Sequence, residues 1–122
     1  MSKLAPLAGI RVLDVSSVLS GPLASMLLAD LGADVIKVEP PAAPDFTRGT
    51  GDAHNAMTAY FYNTNRGKRA IAVDGRQPAG QRILQALADQ ADVVVQNMRP
   101  GKAAGIGLDP NECLLRNQSL IY

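Results

Sequence analysis

Two stretches of this sequence place anion-binding side chains beside chain breakers. The first carries Arg66, Lys68, Arg69 and Arg76 around a short apolar run at 70–73. Guanidinium and ammonium groups hold phosphates through charge-assisted hydrogen bonds, so this cluster suits an anionic ligand. It equally suits a solvated hairpin edge guarded by charge against unwanted pairing, and both readings stand at this point. The second stretch is Asn97-Met98-Arg99-Pro100-Gly101-Lys102, directly after the segment 92–96 that holds V-V-V. Ligands of open α/β sheets sit at the carboxyl ends of the strands, where an Asn and an Arg are well placed to act.

Other chemistries lack their residues. Gly105-Ile106-Gly107 has no third glycine in register, no glycine precedes Lys-Ser or Lys-Thr, and there is no G-x-S-x-G. His54 is the sole histidine and reads as a solvated loop residue. Cys113 is the sole cysteine, which removes an intramolecular disulfide and any multi-cysteine zinc site. No residue is assigned to catalysis and none to a metal. With a net charge of +1 there is no overall attraction to nucleic acid or an acidic membrane, and neither is expected as a partner. No apolar run approaches the roughly 18 residues of a membrane span. The segment 1–6 has no apolar core and does not read as a signal peptide. The expectation is a soluble, cytoplasmic chain. Its 47% hydrophobic and 19% charged residues exclude a disordered one.

The elements that would position the two stretches follow from periodicity. I-R-V-L-D-V at 10–15 reads as a strand. Ser20 can cap a helix and Pro22 suits its first turn, giving a helix to residue 31 that stops at Gly32. That helix is apolar nearly all round and is predicted to be buried on most sides. A-D-V-I-K-V-E at 33–39 reads as a second strand, which makes a right-handed βαβ unit with parallel strands. Residues 42–59 read as an irregular loop long enough to be functional. Residues 59–65 form a short helix or turn, 66–69 a basic turn and 70–73 a short strand. Pro78 opens a helix to residue 90. Residues 92–96 read as a third parallel strand buried on both faces. Asp109-Pro110-Asn111-Glu112 is a helix start with the signature of a capping box. Residues 119–122 begin another strand. There is no internal repeat.

In order, these pieces resemble one family. P-L-A-G-I-R-V-L-D at 6–14, S-G-P at 20–22 and L-L-A-D-L-G-A-D-V-I-K-V-E-P-P at 27–41 look like the opening of the class III CoA-transferases, which include formyl-CoA transferase, carnitine CoA-transferase and α-methylacyl-CoA racemase. The likeness continues through N-R-G-K-R-A-I at 65–71 and A-D-V-V-V-Q-N-M-R-P-G at 91–101, and ends with L-I-Y at 120–122. It implies a Rossmann-like open, mostly parallel α/β sheet with helices on both faces. On this reading residues 1–122 are the N-terminal part of a large domain, truncated at the C-terminal end. The family acts on CoA thioesters as substrates, without a tightly bound cofactor, and forms interlocked dimers, so a homo-oligomer is expected. Its catalytic Asp lies beyond the strand that begins at Leu120, and none of Asp14, Asp30, Asp34, Asp74 or Asp92 matches it. The alternative is a stand-alone, non-catalytic CoA-binding or interaction module on the same fold.

The resemblance also implies a binding set. Val73, Asp74, Gly75 and Arg76 match the stretch that contacts the adenosine-phosphate end of CoA, with Arg76 at a basic position. Asn97, Met98 and Arg99 match a second CoA-contacting stretch. Leu19 stands where some transferases line the thioester site with Gln, and a Leu cannot hydrogen-bond the acyl group. Pro40 and Gly105 stand where cations are frequent in the family, which leaves Lys102 to compensate.

Overall fold

The computed structural model describes residues 5–55 and 57–122. Residues 1–4 of the segment read for a signal peptide, and Ala56 within the 42–59 loop, lie outside the described residues. Four strands form one parallel sheet: β1 (Arg11–Asp14), β2 (Asp34–Glu39), β5 (Arg69–Ala72) and β6 (Val93–Val95), in the order β5-β2-β1-β6. The helices are α1 (Ser20–Asp30), α2 (Ala59–Asn65), α3 (Pro78–Asp89) and α4 (Pro110–Arg116). The α/β class, the βαβ unit and the three long parallel strands are as the sequence predicts. The 42–59 loop is more ordered than expected. It holds a 3-10 turn (Phe46–Gly49) and the small antiparallel pair β3 (Ala53–His54) and β4 (Met57–Thr58). Residues 119–122 contribute one parallel bridge, Val93 to Ile121, on the outer side of β6.

The period-two alternation of β1 sorts the protein into layers. Leu13 and Val15 face a core built with Val38, Leu84, Ala88, Val94, Leu108 and Cys113, under α3 and α4. Val12 faces the opposite way, onto Val35 and Ala33, with Leu28 and Ala29 of α1 against it. Helices therefore cover both faces. Asp14 follows Val12 on the α1 side and is fully buried, as is Lys37, its register partner on β2.

Each of these charges has a separate partner. Lys68 Nζ donates to Asp14 Oδ2 at 2.9 Å, and Ser25 Oγ donates to the same oxygen at 2.6 Å. The backbone N–H of Ser16 donates to Asp14 Oδ1 at 2.9 Å, and its hydroxyl also bonds that oxygen. Lys37 Nζ reaches Asp45 Oδ2 at 3.1 Å, while Arg48 Nη2 pairs with Glu39 Oε2 at 2.7 Å and its guanidinium stacks 3.8 Å from the Phe61 ring. No described buried side-chain polar atom lacks a hydrogen bond. A buried charge layer at the carboxyl end of the sheet is thus fully satisfied, as a low-dielectric site requires.

Four expectations are corrected. Ser20 does not cap α1. The helix starts one residue earlier, with Leu23 N–H donating to the Leu19 carbonyl at 2.8 Å and no side chain capping it. Nor is α1 buried on most sides. Leu19, Leu23, Leu27 and Leu31, four residues apart, are between 40% and 51% exposed, because only the opposite face, with Pro22, Ser25 and Met26, meets the sheet. The V-V-V strand lies outside β1 in the sheet, so Val94 is buried while Val93 and Val95 are half-buried. Finally, β5 is a parallel edge strand on β2 and not part of a hairpin; Arg69 guards it by pairing with Asp34 at 2.6 Å. Gly32 ends α1 as predicted. At φ +100° it closes a paired turn in which Gly32 and Ala33 N–H groups donate to Ala29 and Leu28 carbonyls. Asp109 caps α4 through the N–H groups of Asn111 and Glu112.

The charge layer sets an acid limit. Burial pushes the carboxyls of Asp14, Glu39 and Asp45 up, but their cations and hydrogen-bond donors outweigh it, so all three lie below their ordinary values. A lowered folded-state value means stability that is complete above the unfolded value and lost as pH falls through the folded one. Urea unfolding at stepped pH is expected to give a flat midpoint from about pH 7 to pH 5 and a steep decline below about pH 4. An unchanged midpoint at pH 3 contradicts this account.

Candidate functional site

All four parallel strands end on one side of the molecule, and the segments that follow them wall a crevice there. The strand order makes β1 and β6 the switch point: the chain leaves β1 towards β2 and leaves β6 outwards towards Ile121. A cleft of about 320 Å³ is lined by Val15, Ser16 and Ser17 after β1, by Val38, Glu39, Pro40 and the 43–46 segment at the end of β2, and by Met98 after β6. A smaller hollow of about 90 Å³ shares Val15, Val38, Pro40 and Met98 and adds Val73, Gly75, Leu84 and Ile106. Two other hollows lie away from the strand ends, one over Arg11 and Leu87 and one between α2 and β5. Parallel-sheet chemistry points to the carboxyl-end crevice rather than to either of them. Among the described residues, no three His, Cys, Asp or Glu side chains gather as a metal site. No helix there is long and apolar enough to cross a membrane.

The residues singled out from sequence divide into two groups. Val73, Gly75 and Met98 line the crevice floor. Gly75 is needed there, since a Cβ would lie 2.8 Å from Ile106 Cβ and 2.9 Å from Leu84 Cδ1. Asp74, Arg76 and Arg99 line neither hollow of the crevice and are at its margins only as the chain neighbours of Val73, Gly75 and Met98. Arg76 Nε donates to Asp74 Oδ1 at 2.9 Å, which holds the Asp74 carboxyl below its ordinary value and raises the guanidinium. Arg99 and Lys102 are exposed and make no described side-chain bond. Arg76 follows β5 and Arg99 follows β6, the two outer strands of the sheet. Asn97 does not point freely into the crevice: Nδ2 donates to the Ser17 carbonyl at 2.7 Å and Oδ1 accepts from Ser17 N–H at 3.0 Å. Leu19 is exposed at the start of α1, and Gln81 Nε2 donates to the Gly105 carbonyl at 3.2 Å.

Sequence reading did not reach Ser16, Ser17, Glu39 and Asp45, which also wall the larger cleft. Lys37 was the available signal. A lysine on the Val35 face of β2, set between Ile36 and Val38, needs a buried acid, and Asp45 supplies it. The Arg66–Arg76 cluster, read as one patch, is taken apart by the fold. Arg66 pairs with Asp30, Lys68 with Asp14, Arg69 with Asp34 and Arg76 with Asp74.

Residues 7–122 match the family described as CoA-transferase family III. Succinate–glutarate CoA-transferase from Agrobacterium fabrum is 44% identical over 96% of this chain and 31% of its own length. Human succinyl-CoA:glutarate CoA-transferase is 45% identical over 88% of this chain and 25% of its own. Among solved structures, a CAIB/BAIF family protein from Brucella suis superposes with a TM-score of 0.89 at 40% identity, covering 97% of this chain and 32% of that one. The chain belongs to CoA-transferase family III, and it spans about a quarter to a third of the length of the curated relatives it matches.

The loop that carries Val73 to Arg76 depends on a glycine in α3. A Cβ on Gly80 would collide with the Asp74 carbonyl. Helix propensity alone gives Gly80→Ala a gain of about 1 kcal/mol. Overpacking against a backbone carbonyl costs about 1–3 kcal/mol, so the substitution is expected to destabilise on balance. Urea denaturation decides between the two, and a stabilised variant contradicts the close approach described here.

Proposed function

We propose that this chain forms one wall of a CoA-thioester site, in an enzyme that transfers CoA between carboxylates or racemises an acyl-CoA. The observation that carries the reading is the crevice itself. Val73, Gly75 and Met98, all at positions matched to CoA contacts, line one hollow at the carboxyl ends of parallel strands. The floor is apolar enough for a pantetheine arm, while Arg76 and Arg99 at the margins suit phosphates. Its relatives include succinate–glutarate and formyl-CoA:oxalate CoA-transferases, whose names share one chemistry, exchange of a CoA thioester between two carboxylic acids.

In that chemistry an enzyme carboxylate attacks the thioester carbonyl, the C–S bond breaks, and the thiolate of CoA leaves an acyl anhydride behind. Two carboxylates wall the larger cleft, Glu39 and Asp45, and neither is assigned that role. Glu39 is held by Arg48 and the Asp45 N–H, and Asp45 by Lys37, Thr47 and the Val18 N–H. On this reading the nucleophile is the family's catalytic Asp, which the resemblance places after the strand that begins at Leu120. The proposal includes a homo-oligomer working in the cytoplasm, with the exposed leucine face of α1 as support for assembly.

Calorimetric titration of the 122-residue chain with CoA is expected to give a dissociation constant no tighter than about 0.1–1 mM. Arg76→Ala and Arg99→Ala each weaken it. If both variants bind as the parent does, the assignment of these residues fails; if the parent does not bind millimolar CoA, the reading of the crevice fails. The same preparation is expected to show no turnover with a panel of acyl-CoA donors and carboxylate acceptors, and activity above the protein-free rate places the nucleophile inside these residues instead.

A further inference from the structure

Three consecutive residues between β1 and α1 have their backbone held by side chains of β1, of β2 and of the segments that follow β2 and β6. The N–H of Ser16 donates to Asp14 Oδ1 at 2.9 Å, and its carbonyl accepts from Lys37 Nζ at 3.0 Å. Ser17 exchanges two hydrogen bonds with the Asn97 amide, at 2.7 and 3.0 Å. The N–H of Val18 is shared between the two carboxylate oxygens of Asp45, at 3.2 and 3.3 Å. Val18 itself has φ +70°, the left-handed region that a β-branched side chain strongly disfavours. Among the described residues, the other non-glycine residue at positive φ is Asn55, a type that tolerates it. Ser-Ser-Val-Leu contains nothing that favours such a turn, so the contacts around it impose it. Ser16 and Ser17 are also the part of this loop that walls the larger cleft.

We propose that Asn97 is a positioning residue, which holds the strained β1 loop, and with it one wall of the crevice, in the shape that accepts a CoA thioester. This rests on the reading of the crevice as a CoA site. Asn97 reaches across the switch point from the β6 side, and a donor and an acceptor of its amide are both spent on Ser17. Its effect on ligand then passes through the loop rather than through direct contact. Removing the amide lets Val18 relax out of the left-handed region and moves the wall. Glycine at position 18 adopts that conformation without steric penalty, so the remaining contacts from Asp14, Lys37 and Asp45 keep the wall in place.

The test is a double-mutant cycle on the 122-residue chain, with Asn97→Ala, Val18→Gly and the pair, read by CoA titration and by thermal unfolding. Asn97→Ala is expected to weaken CoA binding about fivefold, and Val18→Gly in the same chain to return it to within about twofold of the parent. Failure of the second change to restore binding overturns the proposal and leaves Asn97 as a direct contact or a bystander. Thermal unfolding judges the loop even if the parent binds no CoA, in which case the crevice reading fails on its own. Val18→Gly is expected to raise Tm by about 2–5 °C. The loss from Asn97→Ala is then larger with glycine at 18 than with valine, because no relief of strain offsets it. Additive Tm shifts, or a lower Tm for Val18→Gly, overturn the proposal. Asn97→Asp, which keeps the acceptor for Ser17 N–H and loses the donor, supplies the same cycle should alanine at 97 prevent folding.

Discussion

A carboxylate without exposed surface, Asp14, sits where β1 ends, and most of the carboxyl side of this fold is arranged around its charge. Burying an ion pair gives little net stability, because desolvation offsets most of the attraction. What the pair does is exclude alternatives. A one-residue slip of β1 would turn Asp14 into the apolar layer under α3 and carry Leu13 into the polar one, away from Lys68 and Ser25. The cation comes from just before β5, so the same contact also fixes where the edge strand begins. Lys37 and Asp45 do the like for the segment after β2. The crevice is the outcome: its walls are fixed by buried charges, while its floor of Val15, Val38, Val73 and Met98 stays apolar.

Local rules read this layout well where the deciding information is local. Strands at 10–15 and 34–39, the stop at Gly32 and the cap at Asp109 follow from propensity, turn residues and periodicity, and the structure places each of them within a residue or two. The misreadings share a different cause. Ser20 looks like a cap until the loop before it is seen to be held by Asn97 and Asp45, which lets α1 begin a residue early. The leucines of α1 look like core because composition does not say which face the sheet takes. The basic run at 66–76 looks like one patch because three of its four acids, Asp14, Asp30 and Asp34, lie far back along the chain and only the fold assigns them. Of the positions that the family resemblance proposes, Val73, Gly75 and Met98 fall on one hollow, whereas Asp45 and the serines of the β1 loop, which wall the larger cleft, had no signal beyond an unexplained lysine.

The crevice also has a distinct electrical character. Most cations around it are already neutralised at short range, and Arg76 itself leans on Asp74, two residues away. An anionic ligand at that margin competes with a carboxylate for the same guanidinium, which lowers affinity and favours release. Arg99 and Lys102 meet no such competition among the described residues. The two margins therefore differ in kind, one with a cation shared with an acid and the other with cations open to solvent, and a long ligand laid between them would have a preferred direction.

The pairing of β1 with β2 has a consequence for the order of assembly. Asp14 and Lys37 are register neighbours on adjacent strands, yet each finally bonds a residue supplied later in the chain, Lys68 and Asp45. A nascent βαβ unit that closes first carries two opposite charges side by side, which tolerate each other while water still reaches them. Only when the 3-10 turn and the residues before β5 dock can that water leave, because only then does each charge have its permanent partner. Desolvation of this end of the sheet therefore waits on one local contact, Lys37 to Asp45, and on one that spans more than fifty positions, Asp14 to Lys68, and contacts of that longer separation slow folding.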